Sequence, residues 1–210
     1  AEYYKMKPKS QQPKLEFNSV YHIYNCGING CSIFTFDEDY DQFLLRLDKY
    51  ILPIADIYAW ALLGNHFHLL IKIKKEEEIN TLKELNLLEN KTKELSDTKK
   101  PDINKQFSHL FNSYSNYYNN KHSRHGALFE RAFKRKKIEN REYFKRCLIY
   151  IHQNPIKHGF VNDIREYRHT SFNRIFGSEI SNIKKSIVLK IFDDIENYNL
   201  CHQKMVELLD

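Results

Sequence analysis

Two histidines flank one phenylalanine in "GNHFHLLIKI", residues 64–73. The run is short and apolar and reads as a strand. Side chains alternate along a strand, so His66 and His68 share one face while Phe67, Leu69, Ile71 and Ile73 share the other. Paired imidazoles on a sheet face suit a divalent metal or an anionic oxygen, or else each is satisfied by its own hydrogen bond. Further along, Tyr143, Tyr150 and Asn154 are spaced by seven and four, which on a helix puts Tyr150 and Asn154 a turn apart on one face. If that helix crosses the sheet, two neutral imidazoles and the Asn154 amide oxygen give three ligands with open positions. That set suits Mg²⁺ or Mn²⁺ holding a phosphate better than a closed zinc site. The metal would act as a Lewis acid on a phosphate oxygen, and Tyr150 would be placed to attack the phosphorus and form a phosphotyrosine link. A phenol with an ordinary pKa of about 10 needs that charge, and nearby Lys or Arg, to favour the phenolate. Taken alone, a helix tyrosine is more often core or interface.

The elements that must position these groups follow from periodicity. "SVYHIYNCGING" alternates as a strand from Val20 to Asn25 and closes in a turn at Gly27 and Gly30. "DEDYDQFLLRLDKYI" opens with acids and places Tyr40, Phe43, Leu44, Leu47 and Ile51 on one helical face. "ADIYAWALLGN" and "HFHLLIKI" read as two strands joined by a tight turn at Gly64 and Asn65. Residues 74–100 are charged, with a helix expected at Ile79 to Leu88, and read as an insertion or solvated helix. After Pro101, residues Ile103, Phe107, Leu110, Phe111, Tyr114 and Tyr118 fit one helical face. "HGALFERAFKRKKI" reads as a strand with a charged exterior, and "NREYFKRCLIYIHQN" as a helix capped by Asn140 and stopped by Pro155. The order predicts an α+β fold, a split β-α-β-β-α-β antiparallel sheet of ferredoxin-like type with an added helix that bears the tyrosine. The histidines then lie on an interior strand. The tail from Ile180 carries Ile187, Val188, Ile191, Phe192 and Ile195 and reads as a docking helix, with core packing or a partner surface as its role. Three parts are expected: a flexible N-terminal arm over 1–17, a catalytic domain over 18–176 and a helical extension over 177–210.

The 210 residues can bury a sizeable core. Lys and Arg number 33 against 27 Asp and Glu, and between Lys121 and Lys137 the single acid is Glu130, so positive charge is concentrated where an anionic partner would find it. Cys26, Cys31, Cys147 and Cys201 are dispersed, with no C-x-x-C pair, and read as reduced thiols of a cytoplasmic protein rather than a zinc site or a disulfide framework. No run reaches the length of a membrane span, and no apolar leader opens the chain. Fourteen Tyr and fourteen Phe, interleaved with Lys and Arg, include rings of the kind a single-strand nucleic-acid surface uses. No G-x-x-x-x-G-K-[ST] loop is present, and neither ATP nor an organic cofactor is expected.

Four segments, "YHIYNCGINGCSIF", "ALLGNHFHLLIK", "HGALFERAFKRK" and "YIHQNPIKHGFV", occur in this order between about Tyr21 and Val161. Their combination resembles the HUH single-tyrosine transposases, in particular the REP-associated tyrosine transposase branch. The resemblance implies His66 and His68 as metal ligands, Tyr150 as nucleophile and Asn154 as the polar ligand one turn on. It also implies Mg²⁺ or Mn²⁺, single-stranded DNA beside a hairpin as substrate, and a 5′-phosphotyrosine intermediate with release of a free 3′-OH. His22 and Asn25 recur in the matching stretch as partners that would orient a ligand histidine, or as ordinary strand hydrogen bonds. His152, two residues past the tyrosine, falls on another helix face, with a structural or DNA-contacting role. Arg124, Arg131, Lys134, Arg135, Lys136 and Lys137 would grip phosphates, unless they are a charged edge that discourages aggregation. Lys5, Lys7, Lys9 and Lys14 of the arm are an alternative place for recognising the hairpin foot. Members of the family act as monomers or homodimers. The rival readings are a domesticated hairpin-binding protein without cleavage and a replication-initiation nickase.

Overall fold

The computed structural model describes residues 12–85, 98–177, 182–206 and 208. Four strands, β1 (Val20–Cys26), β2 (Ala55–Leu63), β3 (His66–Ile73) and β4 (Lys134–Ile138), form one sheet in the order β2-β3-β1-β4, with every neighbouring pair antiparallel. The expected α+β fold with its split β-α-β-β-α-β sheet is therefore the observed one. The helix α1 (Asp37–Tyr50) connects β1 to β2, and α2 (Ile103–Lys121) lies between β3 and β4. Both crossovers cover the Phe67 face of the sheet. Tyr40, Phe43 and Leu47 from α1 and Phe107, Leu110 and Tyr114 from α2 are buried there. The Phe67 ring lies 5.1 Å from Phe43 and 5.8 Å from Phe111. Fully burying one such ring contributes roughly 1.5–3 kcal/mol, which fixes this face as core and turns the histidines to the other.

The N-terminus of α1 is held by Asp39, whose buried carboxylate accepts from the backbone of Thr35 and Phe36, each at 2.9 Å, and from the Tyr117 hydroxyl at 3.1 Å. Burial pushes this carboxyl up, but the Phe36 and Thr35 amides and His122 outweigh it and hold it below its ordinary range. Asp39 thus pins α1 to α2. The second crossover starts at Asp102, whose side chain accepts from Lys105 N at 2.8 Å. Between β3 and α2 the expected helix at Ile79 to Leu88 is not formed over its described part. Residues 82–85 are turns, with a short 3-10 turn at Glu76–Glu78 before them, and residues 86–88 lie outside the described residues. Over 79–85 only Ile79 is buried, which leaves a helix there without an apolar stripe to anchor it. Residues 126–133 are likewise not strand, apart from one bridge between Gly27 and Phe129, so β4 is only its last five residues.

The helix α3 (Arg141–Lys157) starts at Asn140, whose side chain accepts from Tyr143 N at 2.8 Å. It does not stop at Pro155, as its missing N–H suggests, but carries the proline inside its last turn, where the ring is buried. Termination falls to Gly159, with φ of 71°. There Phe160 N donates to Pro155 O at 2.9 Å and Gly159 N to Ile156 O at 3.0 Å.

Two further helices, α4 (Lys185–Phe192) and α5 (Ile195–Gln203), pack on α3 and β2. Val188, Phe192, Tyr198 and His202 face inward, whereas Ile187 and Ile195 remain exposed. A polar chain links these helices to α3. His202 Nδ1 lies 2.7 Å from Tyr198 O, an acceptor, so it donates. Its Nε2 then accepts from His152 Nδ1 at 3.0 Å, and His152 Nε2 accepts from the Ser171 hydroxyl at 2.8 Å. His152 is buried in this chain and is not placed to touch DNA.

Both sheet margins are occupied. On the outer edge of β2, Ser171 N donates to Trp60 O, Leu62 N to His169 O and Lys184 N to Ile57 O, each at 2.9 Å. On β4, Arg135 N donates to Gln12 Oε1 at 2.9 Å, and Lys137 pairs with Glu16. Residues 12–17 of the expected arm are thus laid along the sheet, with Leu15 buried, while Lys5, Lys7 and Lys9 lie outside the described residues. The four cysteines are free, and no helix among the described residues is long and apolar enough to cross a membrane.

Burial lowers the His202 pKa to about 4, even though its bond to Tyr198 O raises it, and takes His152 well below the ordinary value through burial and then the charge of His202. A depressed histidine stabilises the fold fully above its unfolded value of about 6.5 and loses that contribution as pH falls toward the folded value. Urea unfolding at pH 7 and at pH 5 should therefore differ by on the order of 2 kcal/mol for His202 alone. Equal stability at the two pH values would contradict the buried neutral pair.

Candidate active site

The helix α3 lies across the face of β2 and β3 that α1 and α2 leave open. Strand register decides what it covers. Tyr24 of β1 is opposite His68 of β3 and Lys134 of β4, His22 is opposite Leu70 and Lys136, and Cys26 is opposite His66. With a side-chain period of two, His22, Tyr24, His66, His68, Lys134 and Lys136 all share the face turned to α3.

His66, His68 and Tyr150 meet there, with His22 beside them. His22 Nε2 is 2.9 Å from His68 Nδ1, and the two rings stack at 5.1 Å. His66 and His68 stand edge to face at 5.3 Å, and His66 Nδ1 donates to Asn65 Oδ1 at 2.7 Å, which leaves Nε2 of His66 with its lone pair. The Tyr150 ring comes down from α3 onto this pair, 5.9 Å from His68 and 6.2 Å from His22, both at near right angles. Asn154, one turn on and buried, donates its amide nitrogen to Tyr150 O at 2.8 Å, so its carbonyl oxygen is the end left for a ligand. His22 does contact a ligand candidate. Asn25 instead donates to Glu130 O at 3.2 Å and accepts from Cys26 N, holding the loop before β4 rather than a histidine.

A cavity of about 580 Å³ opens beside these rings, lined by Tyr24, His66, His68, Arg131, Lys134 and His158. Two groups that the sequence reading passed over belong to this site. His158 stacks edge to face on His66 at 4.8 Å, and the Lys157 ammonium lies 4.6 Å over the Tyr150 ring. His158 follows Asn154 by four, as Asn154 follows Tyr150, so the stripe that predicted Tyr150 and Asn154 extends to it once α3 runs through Pro155.

Burial and then Lys136 depress His22 to about 3, and burial and then His158 depress His66 to about 4. Burial and then His22 take His68 well below the ordinary value. At neutral pH the three imidazoles are uncharged and have lone pairs to offer. Among the described residues no group of three His, Cys, Asp or Glu could hold a metal ion, so the pair would need the Asn154 oxygen or oxygens of a bound phosphate to complete a shell. The donor set of two neutral imidazoles and an amide oxygen fits a divalent ion with open positions.

The basic segment divides. Arg131 and Lys134 are exposed at the cavity, and Lys136 lies under α3, 5.2 Å from the Tyr143 ring. Arg135 and Lys137, one residue out of phase, tie down Pro13 and Glu16, and Arg124 donates to Asn119 Oδ1 at 3.0 Å to brace its own loop. Three of the six expected phosphate contacts are therefore committed to the protein: Arg135 and Lys137 because alternation in β4 sends every second side chain to the far face, and Arg124 because it braces its own loop.

No family model matches this sequence. A Haemophilus influenzae protein named as a REP-associated tyrosine transposase is 25% identical over 122 residues, covering 58% of this chain and 61% of that protein. A solved structure described as a REP-associated tyrosine transposase bound to a REP hairpin superposes with a TM-score of 0.58 at 15% identity, covering 80% of this chain and 86% of the other. The first likeness is one of sequence and the second one of fold, and by both this chain is similar to the REP-associated tyrosine transposases, the family that its own motifs resemble.

Proposed function

We propose that this chain cleaves and rejoins single-stranded DNA beside a hairpin, with Tyr150 as nucleophile. The observation that carries the reading is the placement of the Tyr150 ring against the His22–His68 pair, on the sheet face that also presents His66 and a cavity edged by Arg131 and Lys134. In the reaction the Tyr150 oxygen attacks the phosphorus as the phenol gives up its proton to solvent. The bond to the 3′ oxygen breaks, that oxygen takes up a proton and leaves as a free hydroxyl, and the 5′ phosphate stays on the tyrosine. Attack by the same or another 3′-OH reverses the step with no external energy source. His66, His68 and Asn154 would hold Mg²⁺ or Mn²⁺, which when bound withdraws charge from a phosphate oxygen. Lys157 over the ring favours negative charge on the nucleophile, and His22 fixes the orientation of His68. Arg131, Lys134 and Lys136 supply positive charge to the strand, giving affinity with little sequence information.

Two experiments test this. Wild type incubated with Mn²⁺ and labelled single strands bearing a hairpin should give an SDS-stable protein–DNA adduct, and Tyr150→Phe should give none. An adduct that survives in the variant refutes the nucleophile. In calorimetric titration with Mn²⁺ alone, His66→Ala should abolish binding and His22→Ala should weaken it by about 10–100-fold. Unchanged affinity in both variants would rule out these imidazoles as the metal's support.

A further inference from the structure

A second cavity, of about 690 Å³, runs between α2 and the loop 126–133. It shares Asn25, Glu130 and Ala132 with the cavity of the histidines, so the two adjoin at the loop 130–132. Its α2 wall presents Asn112, Ser115 and Asn116, and its floor is the aromatic group Phe111, Phe129 and Phe133. Asn112 and Asn116 are exposed, and among the described residues their amides make no hydrogen bond to the protein. The opposite wall is held in place. Asn119 donates to Gly126 O at 2.9 Å while accepting from Arg124, and Cys31 and Leu128 fasten the same loop beneath.

An amide side chain offers a donor and an acceptor side by side, which is what the edge of a nucleobase asks for, and aromatic faces accept bases by stacking. Charge is arranged to match. Arg131 and Lys134 line the adjoining cavity of the histidines, and the one carboxylate in the trough lining, Glu130, is engaged by Asn29 N at 3.0 Å. Phosphates would follow the cations while bases reach the amides.

We infer that the α2 trough holds the unpaired nucleotides on one side of the scissile phosphate, and that Asn112 and Asn116 read their bases and set which sequence is cut. The inference rests on the proposed cleavage activity for its meaning, but its test does not. The probe is a pool of hairpin oligonucleotides carrying ten random unpaired nucleotides at the stem foot. Wild type should enrich a sequence from the pool. The double variant Asn112→Ala/Asn116→Ala should lose at least about tenfold in affinity for it, the worth of one amide–base pair, and should enrich no sequence. His109→Ala, on the flank of α2 turned to Tyr50, should behave as wild type. A double variant that keeps the wild-type preference, or a wild type that enriches nothing, overturns the inference. If the selected strand forms no adduct while its binding still depends on the two asparagines, the trough stands and the nucleophile falls.

Discussion

The packing of α3 across the sheet is the constraint from which the candidate site follows. One face of the sheet is closed by the two crossover helices through aromatic contacts around Phe67, and the other is covered by chain that follows β4. That cover is amphipathic. Its buried side includes Leu148, Ile151 and Asn154, and Tyr150 at its margin reaches the imidazoles. A helix rotated by one residue would move the phenol by about 100° and leave the histidines facing aliphatic carbon. The buried chain through Ser171, His152 and His202 resists that rotation from behind, since it makes α5 a support for α3.

The electrostatics of the site are the reverse of an ordinary basic patch. Cations collect at its rim, where Arg131 and Lys134 are exposed, whereas the imidazoles inside are uncharged because burial, and for His22 also Lys136, disfavours a further proton. Neutral nitrogen donors within a positive rim draw in a phosphate without competing for it as an ion pair. In the proposed reaction the charge needed at the phosphorus would come from a metal, whose affinity would rest on His66, His68 and the orientation given by His22.

Much of this was legible in the residues. Strand alternation placed His66 and His68 together, the seven-and-four spacing joined Tyr150 to Asn154, and the order of elements gave the sheet. What stayed hidden depended on tertiary contacts. Pro155 reads as a stop because it lacks an N–H, yet packing carries the helix one turn further and brings in Lys157 and His158. The basic run between Lys121 and Lys137 reads as one patch, and only the short β4, with its alternating faces, divides it. The charged stretch after β3 has a helical composition, but over its described residues 74–85 only Ile79 is buried, without the stripe that makes a helix persist.

The two margins of the sheet have a bearing on how copies of this chain can meet. An exposed strand edge invites another strand to add to it, and many assemblies grow in that way. Here β2 has given its outward amides and carbonyls to residues 169, 171 and 184 of the same chain, and β4 is short, rich in lysine and braced by residues 12–16. A strand cannot be added where these edge hydrogen bonds, those of Ile57, Trp60 and Leu62 on β2 and of Arg135 on β4, are already spent. At these positions contact with another molecule would be made through side chains, where recognition depends on residue identity rather than on the backbone that every chain shares.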